Sequence, residues 1–269
     1  MHRTVSTWLE FGQRWSGVLN FLLAGECVPF SFEMPAVEEV VEEVRRDPDA
    51  RISSGNKSDA LDLTSIAEQF RALPIEEAVR SPFALAHFKL DNFSAPGRLF
   101  HGFEEQVLRP WKSALSRAGF TWERCYPIIF ISGPNCATNY HMDYSHVVAW
   151  QRQGVKRFFG LKDPDRWADL ETRVRNTGVQ RPAGITDKDT LMYEMRPGDV
   201  LWNCLLTPHW VEASDEVSYS INLSHGGLRL NGVLAPHEEE LVRWRRAQAG
   251  NGAQCTAAVP DGRVNPVRA

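Results

Sequence analysis

The chain has 269 residues, of which 43% are hydrophobic, and its 30 basic and 34 acidic side chains give a net charge of −4 at pH 7. This length suits one large domain or two small ones, and the apolar content is ample for a packed core. The balanced charge offers no overall attraction to nucleic acid or to an anionic membrane, so a nucleic-acid partner is not expected. No run approaches the roughly 18 apolar residues of a membrane-spanning helix, so no transmembrane segment is expected.

The five cysteines are scattered along the chain, and no two of them are spaced C-x-x-C. An odd, scattered set argues against a zinc ribbon or a disulfide framework and favours a reducing compartment, so we expect a cytoplasmic protein. Cys136 and Cys204 are interpreted as small buried apolar residues rather than as reactive groups.

The first 124 residues are predicted to be mostly helical, with short extended pieces. Apolar residues between positions 8 and 22 recur at roughly helical spacing, which predicts a helix packed on the core. The other elements predicted in this half are an acidic amphipathic helix over 36–46, an exposed polar loop over 47–58, helices over 63–73, 75–80 and 103–118, and a strand over 83–93.

The pattern changes at residue 125. Short β-rich runs punctuated by Gly and Pro continue to residue 225, which is typical of a sandwich or barrel rather than of alternating strands and helices. A charged helix is predicted over 235–249, with its glutamates ahead of its arginines, as suits the helix dipole. We therefore predict a single domain over 1–250, made of a helical N-terminal elaboration (1–124), a β-barrel core (125–225) and the C-terminal helix, followed by a flexible tail over 250–269.

A candidate metal site lies in the stretch Thr138-Asn139-Tyr140-His141-Met142-Asp143. Side chains alternate faces in a strand, so His141 and Asp143 would point the same way and could bind one divalent metal. His209 is the best candidate for the further histidine that completes the two-histidine, one-carboxylate arrangement of non-haem Fe(II) oxygenases. A His-x-Asp pair also arises by chance, and the competing interpretation is a hydrogen-bonded His141 with Asp143 as a turn acceptor.

Four features together resemble a known family. They are Thr138-x-x-His141-x-Asp143, the run Gly154-Val155-Lys156-Arg157-Phe158, the run Arg196-Pro197-Gly198-Asp199-Val200-Leu201 leading into Thr207-Pro208-His209-Trp210, and the strand Ser218-Tyr219-Ser220-Ile221-Asn222-Leu223. In order and spacing they resemble the JmjC or cupin-like Fe(II)- and 2-oxoglutarate-dependent oxygenases. The resemblance implies a mainly β fold with helical elaboration: a double-stranded β-helix (jelly-roll) barrel with N-terminal helices and a C-terminal helix.

The resemblance also implies an activity. Fe(II), held by His141, Asp143 and His209 as catalytic metal ligands, would use O2 and 2-oxoglutarate to hydroxylate an unidentified substrate, releasing succinate and CO2. Because related halogenases lack the carboxylate, Asp143 favours hydroxylation or demethylation. Both histidines must be neutral to bind a metal, so binding is expected to weaken in acid.

Three residues are implied to bind 2-oxoglutarate. Lys156, on the next-but-one strand after His141, would pair with the distal carboxylate, since a buried lysine without an anion is costly. Thr138 would donate its hydroxyl, and Asn222 resembles an amide that contacts the co-substrate in some members. The alternative for Lys156 is a surface lysine in a hairpin. The alternative for Asn222 is a satisfied polar group in the barrel. Lys89 and Tyr126 are weaker candidates.

Several alternatives stay open. His146 is interpreted as a hydrogen-bonded or substrate-side histidine, and His225 could replace His209 as a ligand. The substrate could be a small molecule or a protein side chain, and the C-terminal helix could form a homodimer. The protein could instead be a 2-oxoglutarate-independent cupin metalloenzyme, in which Lys156 serves the substrate, or a non-catalytic binding module.

Overall fold

The computed structural model describes residues 3–54, 63–175 and 180–250, and it confirms the predicted fold class. Eight core strands form two sheets. In chain order they are β6 (Arg124–Ser132), β7 (Ala137–His141), β8 (His146–Gln153), β9 (Lys156–Leu161), β10 (Thr190–Met195), β11 (Val200–Asn203), β12 (His209–Ala213) and β13 (Ser218–Gly226).

The order of these strands defines a double-stranded β-helix. One sheet contains β11, β8, β13 and β6 as neighbours, and the other contains β10, β9, β12 and β7. All pairings among the eight are antiparallel. Successive strands alternate between the two sheets, except for the hairpin of β9 and β10 within the second. This alternation makes a jelly-roll barrel.

Strands from the N-terminal half widen the first sheet at both ends. β1 (Thr4–Val5) and β2 (Phe21–Leu23) extend it beyond β11, while β3 (Arg51–Ser54) and β4 (Phe83–His87) extend it beyond β6. The predicted exposed loop over 47–58 is therefore wrong where β3 pairs with β4, and its residues from 55 onward lie outside the described part of the chain.

The single helix predicted between positions 8 and 22 is also wrong. Helix α1 (Trp8–Arg14) ends before Gly17, and Leu22 then lies in β2, opposite Leu201 of β11. The edge of β11 offers backbone hydrogen bonds to the apolar run over Phe21–Leu23. Tertiary pairing thus overrides the local helical periodicity.

The remaining helices surround the barrel. They are α2 (Val37–Val44), α3 (Leu63–Ala72), α4 (Ile75–Ala78), α5 (Arg109–Arg117), α6 (Pro164–Trp167), α7 (Leu170–Arg175) and α8 (Pro236–Gly250). Short 3-10 turns lie at Gly25–Cys27 and Leu90–Phe93, and a π-helical turn at Glu104–Leu108 precedes α5. A small sheet joins β5 (Phe120–Thr121), β14 (Arg229–Leu230) and β15 (Val233–Leu234).

The strand predicted over 83–93 ends at His87, and the helix predicted from 103 begins with the π-helical turn. Of the helices in the described residues, none is both long and apolar enough to cross a bilayer.

The N-terminal half covers the outer face of the first sheet. Alternate residues of its strands, among them Trp202, Trp150 and Ile221, pack in the main core with Phe11 and Trp111. Because strand side chains alternate, the residues between them face the barrel interior. The N-terminal half therefore buries one side of the sheet and leaves the other side free to line a site.

Candidate metal centre

His141, Asp143 and His209 meet at one end of the barrel. The Nε2 atom of His141 lies 3.6 Å from Asp143 Oδ1, and the Nε2 atom of His209 lies 3.5 Å from Asp143 Oδ2. The three ligand atoms all lie within 4.8 Å of one another, and no second such group of metal-binding residues occurs in the part of the chain that the structure describes. The His141 side chain is 26% exposed, whereas the other two are buried. We call these three residues the ligand trio.

Strand register explains how the trio forms. His209 lies opposite His141, but Val211 lies opposite Thr138, so β7 has one extra residue over this stretch. This β-bulge places Thr138 on the same face as His141, although an offset of three residues would separate them in a regular strand. Asp143 lies beyond the end of β7 rather than within it. The expectation that one regular strand carries both ligands is therefore corrected.

Both histidines are oriented for metal binding through Nε2. The Nδ1 atom of His141 bonds the Asn139 carbonyl at 2.7 Å, and that of His209 bonds the Thr207 carbonyl at 2.9 Å. A carbonyl only accepts, so each Nδ1 carries a hydrogen, which leaves Nε2 of the neutral ring as the nitrogen that can bind a metal. Burial, together with His141 nearby, lowers the pKa of His209 to about 4, so this ring is neutral near pH 7. Two imidazoles that bind through Nε2 and one carboxylate are a donor set that suits Fe(II).

The segment that joins β11 to β12 holds Asp143 at two points. Asn203 Nδ2 donates a hydrogen bond to Asp143 Oδ2 at 3.0 Å, and the Leu206 N–H donates to the Asp143 carbonyl at 2.8 Å. Leu206 has a positive φ of 57°. Sequence reasoning missed both residues. The available signal was that Asn203 alternates with the outward-facing Trp202 and is therefore polar on an interior face.

Lys156 is buried inside the barrel, so its interpretation as a surface lysine is wrong. Only 8% of the residue is exposed, and its Nζ donates to Ser220 Oγ on the opposite sheet at 3.3 Å. Burial lowers the pKa of Lys156 to about 8. Ser220 was also missed by sequence reasoning, although it precedes Asn222 by two residues on β13 and so shares its face.

Thr138 and Asn222 are both partly buried and face the barrel interior. The Oδ1 atom of Asn222 is buried and has no hydrogen-bond partner among the described residues, which disfavours its reading as a satisfied polar group. Tyr126 lies opposite Ser224, on the interior face of β6. Lys89 lies elsewhere, because it is largely exposed and pairs with Asp49 at 2.8 Å.

His146 and His225 lie on the other face of the first sheet. His146 accepts a hydrogen bond from the Leu205 N–H at 3.2 Å, as its hydrogen-bonded interpretation predicted. His225 accepts from Trp111 Nε1 at 2.7 Å and is fully buried in the main core, so it is not placed to replace His209.

Cys136 and Cys204 are buried free thiols, as expected. Burial raises the pKa of Cys136 to about 11 and that of Cys204 to about 12. Both remain protonated near pH 7, so neither offers a thiolate.

The two sheets have the double-stranded β-helix fold of JmjC-type oxygenases. Solved structures with this fold include YcfD, a ribosomal oxygenase from Escherichia coli, with a TM-score of 0.51 at 15% identity over 95% of this chain and 59% of that one. Its complex with cobalt and succinic acid gives 0.51 at 15% identity over 99% and 62%. Its complex with cobalt and 2-oxoglutarate gives 0.51 at 16% identity over 94% and 58%. The chain thus spans less than two thirds of the length of these neighbours. No family model and no curated protein matches the sequence.

Proposed function

We propose that this chain is an Fe(II)- and 2-oxoglutarate-dependent oxygenase that hydroxylates an organic substrate in the cytoplasm. One observation carries the proposal: the ligand trio and the buried Lys156 face the interior of the same barrel. The trio suits a divalent metal, and the lysine suits a small dianion beside it. Neither a binding module nor a structural barrel has a physical need for both.

The ligand trio would hold the iron. His141 and His209 would supply two nitrogen donors, and Asp143 would supply an oxygen donor and the negative charge that offsets part of the dication's charge. When bound, iron in such a site leaves coordination positions open for a 2-oxo acid and O2, and its chemistry couples loss of CO2 from that acid to oxidation of a substrate C–H bond. Phe158 stacks on the His209 ring at a centroid distance of 4.9 Å and an interplanar angle of 9°. This contact fixes the ring orientation and excludes water from one side of it.

Residues of both sheets would bind the far carboxylate of 2-oxoglutarate. The Lys156 ammonium has no carboxylate partner among the described residues, and its one described hydrogen bond is to the Ser220 hydroxyl. An incoming carboxylate would pair with the ammonium and accept from the Ser220 and Thr138 hydroxyls. The Asn222 amide, on the same face as Ser220, could contact the same co-substrate.

For the substrate, we favour a protein side chain over a small molecule. The structural neighbours are described as ribosomal oxygenases, so a ribosomal protein is the first candidate to test. The chain's net charge of −4 offers no attraction to RNA, so the free protein is the expected form of such a substrate. The His141 edge of the trio is the exposed one, and a side chain would approach there.

Dimerisation through α8 stays a prediction. Leu241 and Trp244 of this helix pack in a cluster with Leu206 and Val174 of their own chain. A homodimer built on α8 would therefore use other residues of the helix.

The decisive experiment is anaerobic. Fe(II) and then 2-oxoglutarate are added to purified protein, and the visible absorption band of an iron-chelated 2-oxo acid is followed. We expect a saturable band in the wild type and none in His141→Ala or Asp143→Ala, whereas His101→Ala, which alters an exposed histidine, behaves as wild type. Iron binding without a band would favour the 2-oxoglutarate-independent metalloenzyme, and absence of metal binding would favour the binding module.

A further inference from the structure

We propose that Asn203 is a positioning residue for the metal centre, whose side-chain amide fixes the orientation of the Asp143 carboxylate. This inference rests on the proposed function and adds to it a residue that neither ligates metal nor touches 2-oxoglutarate.

Asn203 ends β11 and faces the barrel interior. It is 1% exposed, and its Nδ2 lies 3.0 Å from Asp143 Oδ2 and 3.4 Å from His209 Nε2. The Oδ1 atom of Asn203 is buried and has no hydrogen-bond partner among the described residues. A buried amide that leaves its own oxygen unpaired is costly to keep. The amide therefore has a role at its other end, where Asp143 Oδ2 is the nearer acceptor at 3.0 Å and His209 Nε2 is the second at 3.4 Å.

The hydrogen bond requires one orientation of the amide. If the amide were reversed, its oxygen would lie against the carboxylate, and two acceptors would face each other without a hydrogen between them. With nitrogen toward Asp143, the bond to Oδ2 stops the carboxylate from rotating about its terminal torsion. The two carboxylate oxygens then stay divided between the histidines, with Oδ1 toward His141 and Oδ2 toward His209.

The backbone around Asn203 is held firmly enough for this role. The Cys204 N–H donates to Asn20 Oδ1 at 3.0 Å, and Thr207 Oγ1 donates to the Val18 carbonyl at 3.2 Å. The same segment then continues into His209. One connection therefore supplies one proposed ligand and fixes the side chain of another, so a change at Asn203 should be detected in the geometry of the whole trio.

The test is Co(II) binding, because Co(II) reports coordination through its visible spectrum without any turnover. Asn203→Leu keeps the branched shape and the number of heavy atoms of the side chain and removes the hydrogen bond. We expect it to weaken Co(II) binding roughly 10- to 100-fold, the usual effect of losing a partner of a metal ligand, and to change the spectrum at saturation. The matched control is Gln151→Leu, which removes another buried amide in the barrel. Gln151 bonds the carbonyls of Gln153 and Gly154 instead of a proposed ligand, so this variant should lose stability but keep the wild-type spectrum.

If Asn203→Leu does not fold, Asn203→Thr replaces it, because threonine suits a strand and its shorter hydroxyl cannot reproduce the amide's bond. Wild-type Co(II) affinity and spectrum in the folded variant would overturn the role of Asn203 and leave the proposed function intact. A loss of affinity that Gln151→Leu shares equally would overturn it too. If the wild type itself binds no Co(II), the proposed function fails, and the role of Asn203 fails with it.

Discussion

Replacing Lys156 with methionine should stabilise the metal-free protein and weaken its binding of 2-oxoglutarate. Methionine is unbranched, keeps most of the length of the lysine side chain and removes its charge. The two effects have opposite signs because the buried charge of Lys156 destabilises the protein without 2-oxoglutarate, whereas the same charge would attract the carboxylate of bound 2-oxoglutarate. Few substitutions at a binding site allow so direct a separation of stability from function.

The size of the stability effect follows from the pKa. Burial lowers the pKa of Lys156 from 10.5 to about 8, so the folded state disfavours the charged form. The penalty is fully present below pH 8 and disappears as the pH rises toward 10.5, where the unfolded chain also loses its proton. This shift corresponds to roughly 3 kcal/mol at pH 7. Loss of the Ser220 hydrogen bond offsets about 1 kcal/mol, so the free energy of unfolding should rise by roughly 2 kcal/mol.

Urea unfolding at pH 7 and pH 10 measures this effect, and the difference between variant and wild type should shrink at the higher pH. Lys188→Met, which removes an exposed lysine, is the control and should change little. In the same protein, the anaerobic iron band should require roughly 10- to 100-fold more 2-oxoglutarate, as expected when a charged hydrogen bond is lost. A variant that is less stable at pH 7, or a stability gain that does not depend on pH, would refute the reasoning about burial. An unchanged requirement for 2-oxoglutarate would place the anchor of the co-substrate elsewhere.

Two further predictions concern the buried histidines outside the centre. Burial lowers the pKa of His146 to about 3 and that of His225 to about 4, so below pH 6.5 the unfolded chain binds more protons than the folded one. These two groups alone should lower stability by roughly 3 kcal/mol per pH unit as the pH falls from 6.5 toward 4, which fluorescence-monitored unfolding at several pH values would detect; a flat profile would contradict it. His225→Gln should lower stability by about 1–3 kcal/mol through the loss of the Trp111 bond, yet leave Co(II) affinity unchanged. Weaker Co(II) binding in a folded His225→Gln protein would contradict this prediction and would support His225 as a metal ligand.

Local patterns in the sequence predict the barrel but not the N-terminal strands that extend its first sheet. Short β-rich runs follow residue 125 and are punctuated by Gly and Pro, as after β6 and β8, so a set of short strands can be predicted from local residues. By contrast, β2 forms because Leu22 lies opposite Leu201, and that partner is far along the chain. No local pattern contains such a pairing, and the helical spacing before it misleads.

In the metal centre, too, some residues could be predicted from local sequence and others could not. His141, Asp143 and His209 follow from motif spacing and from the family resemblance, and the structure brings the three together. Alternation marks Asn203 and Ser220 as polar residues on interior strand faces, but it does not show that each contacts a side chain outside its own strand. The bulge in β7 was also hidden, since it becomes visible only against the register of β12.

The positive φ of Leu206 gives the C-terminal helix a part in holding the centre together. A left-handed backbone is unfavourable for leucine, and it persists only where the surroundings enforce it. Here the Leu206 side chain is fully buried beside Leu241 of α8 and Val174 of α7, while its N–H bonds the Asp143 carbonyl.

Local unfolding of α8 would remove that packing, so the folded helix would help to hold Asp143, a proposed ligand, in place. A metal that binds only the state with α8 folded stabilises that state. We therefore expect Co(II) to slow amide hydrogen exchange in α8, although the helix contributes no residue to the trio. If Co(II) does not change the rate of amide hydrogen exchange in α8, local unfolding of α8 is independent of metal binding at the ligand trio.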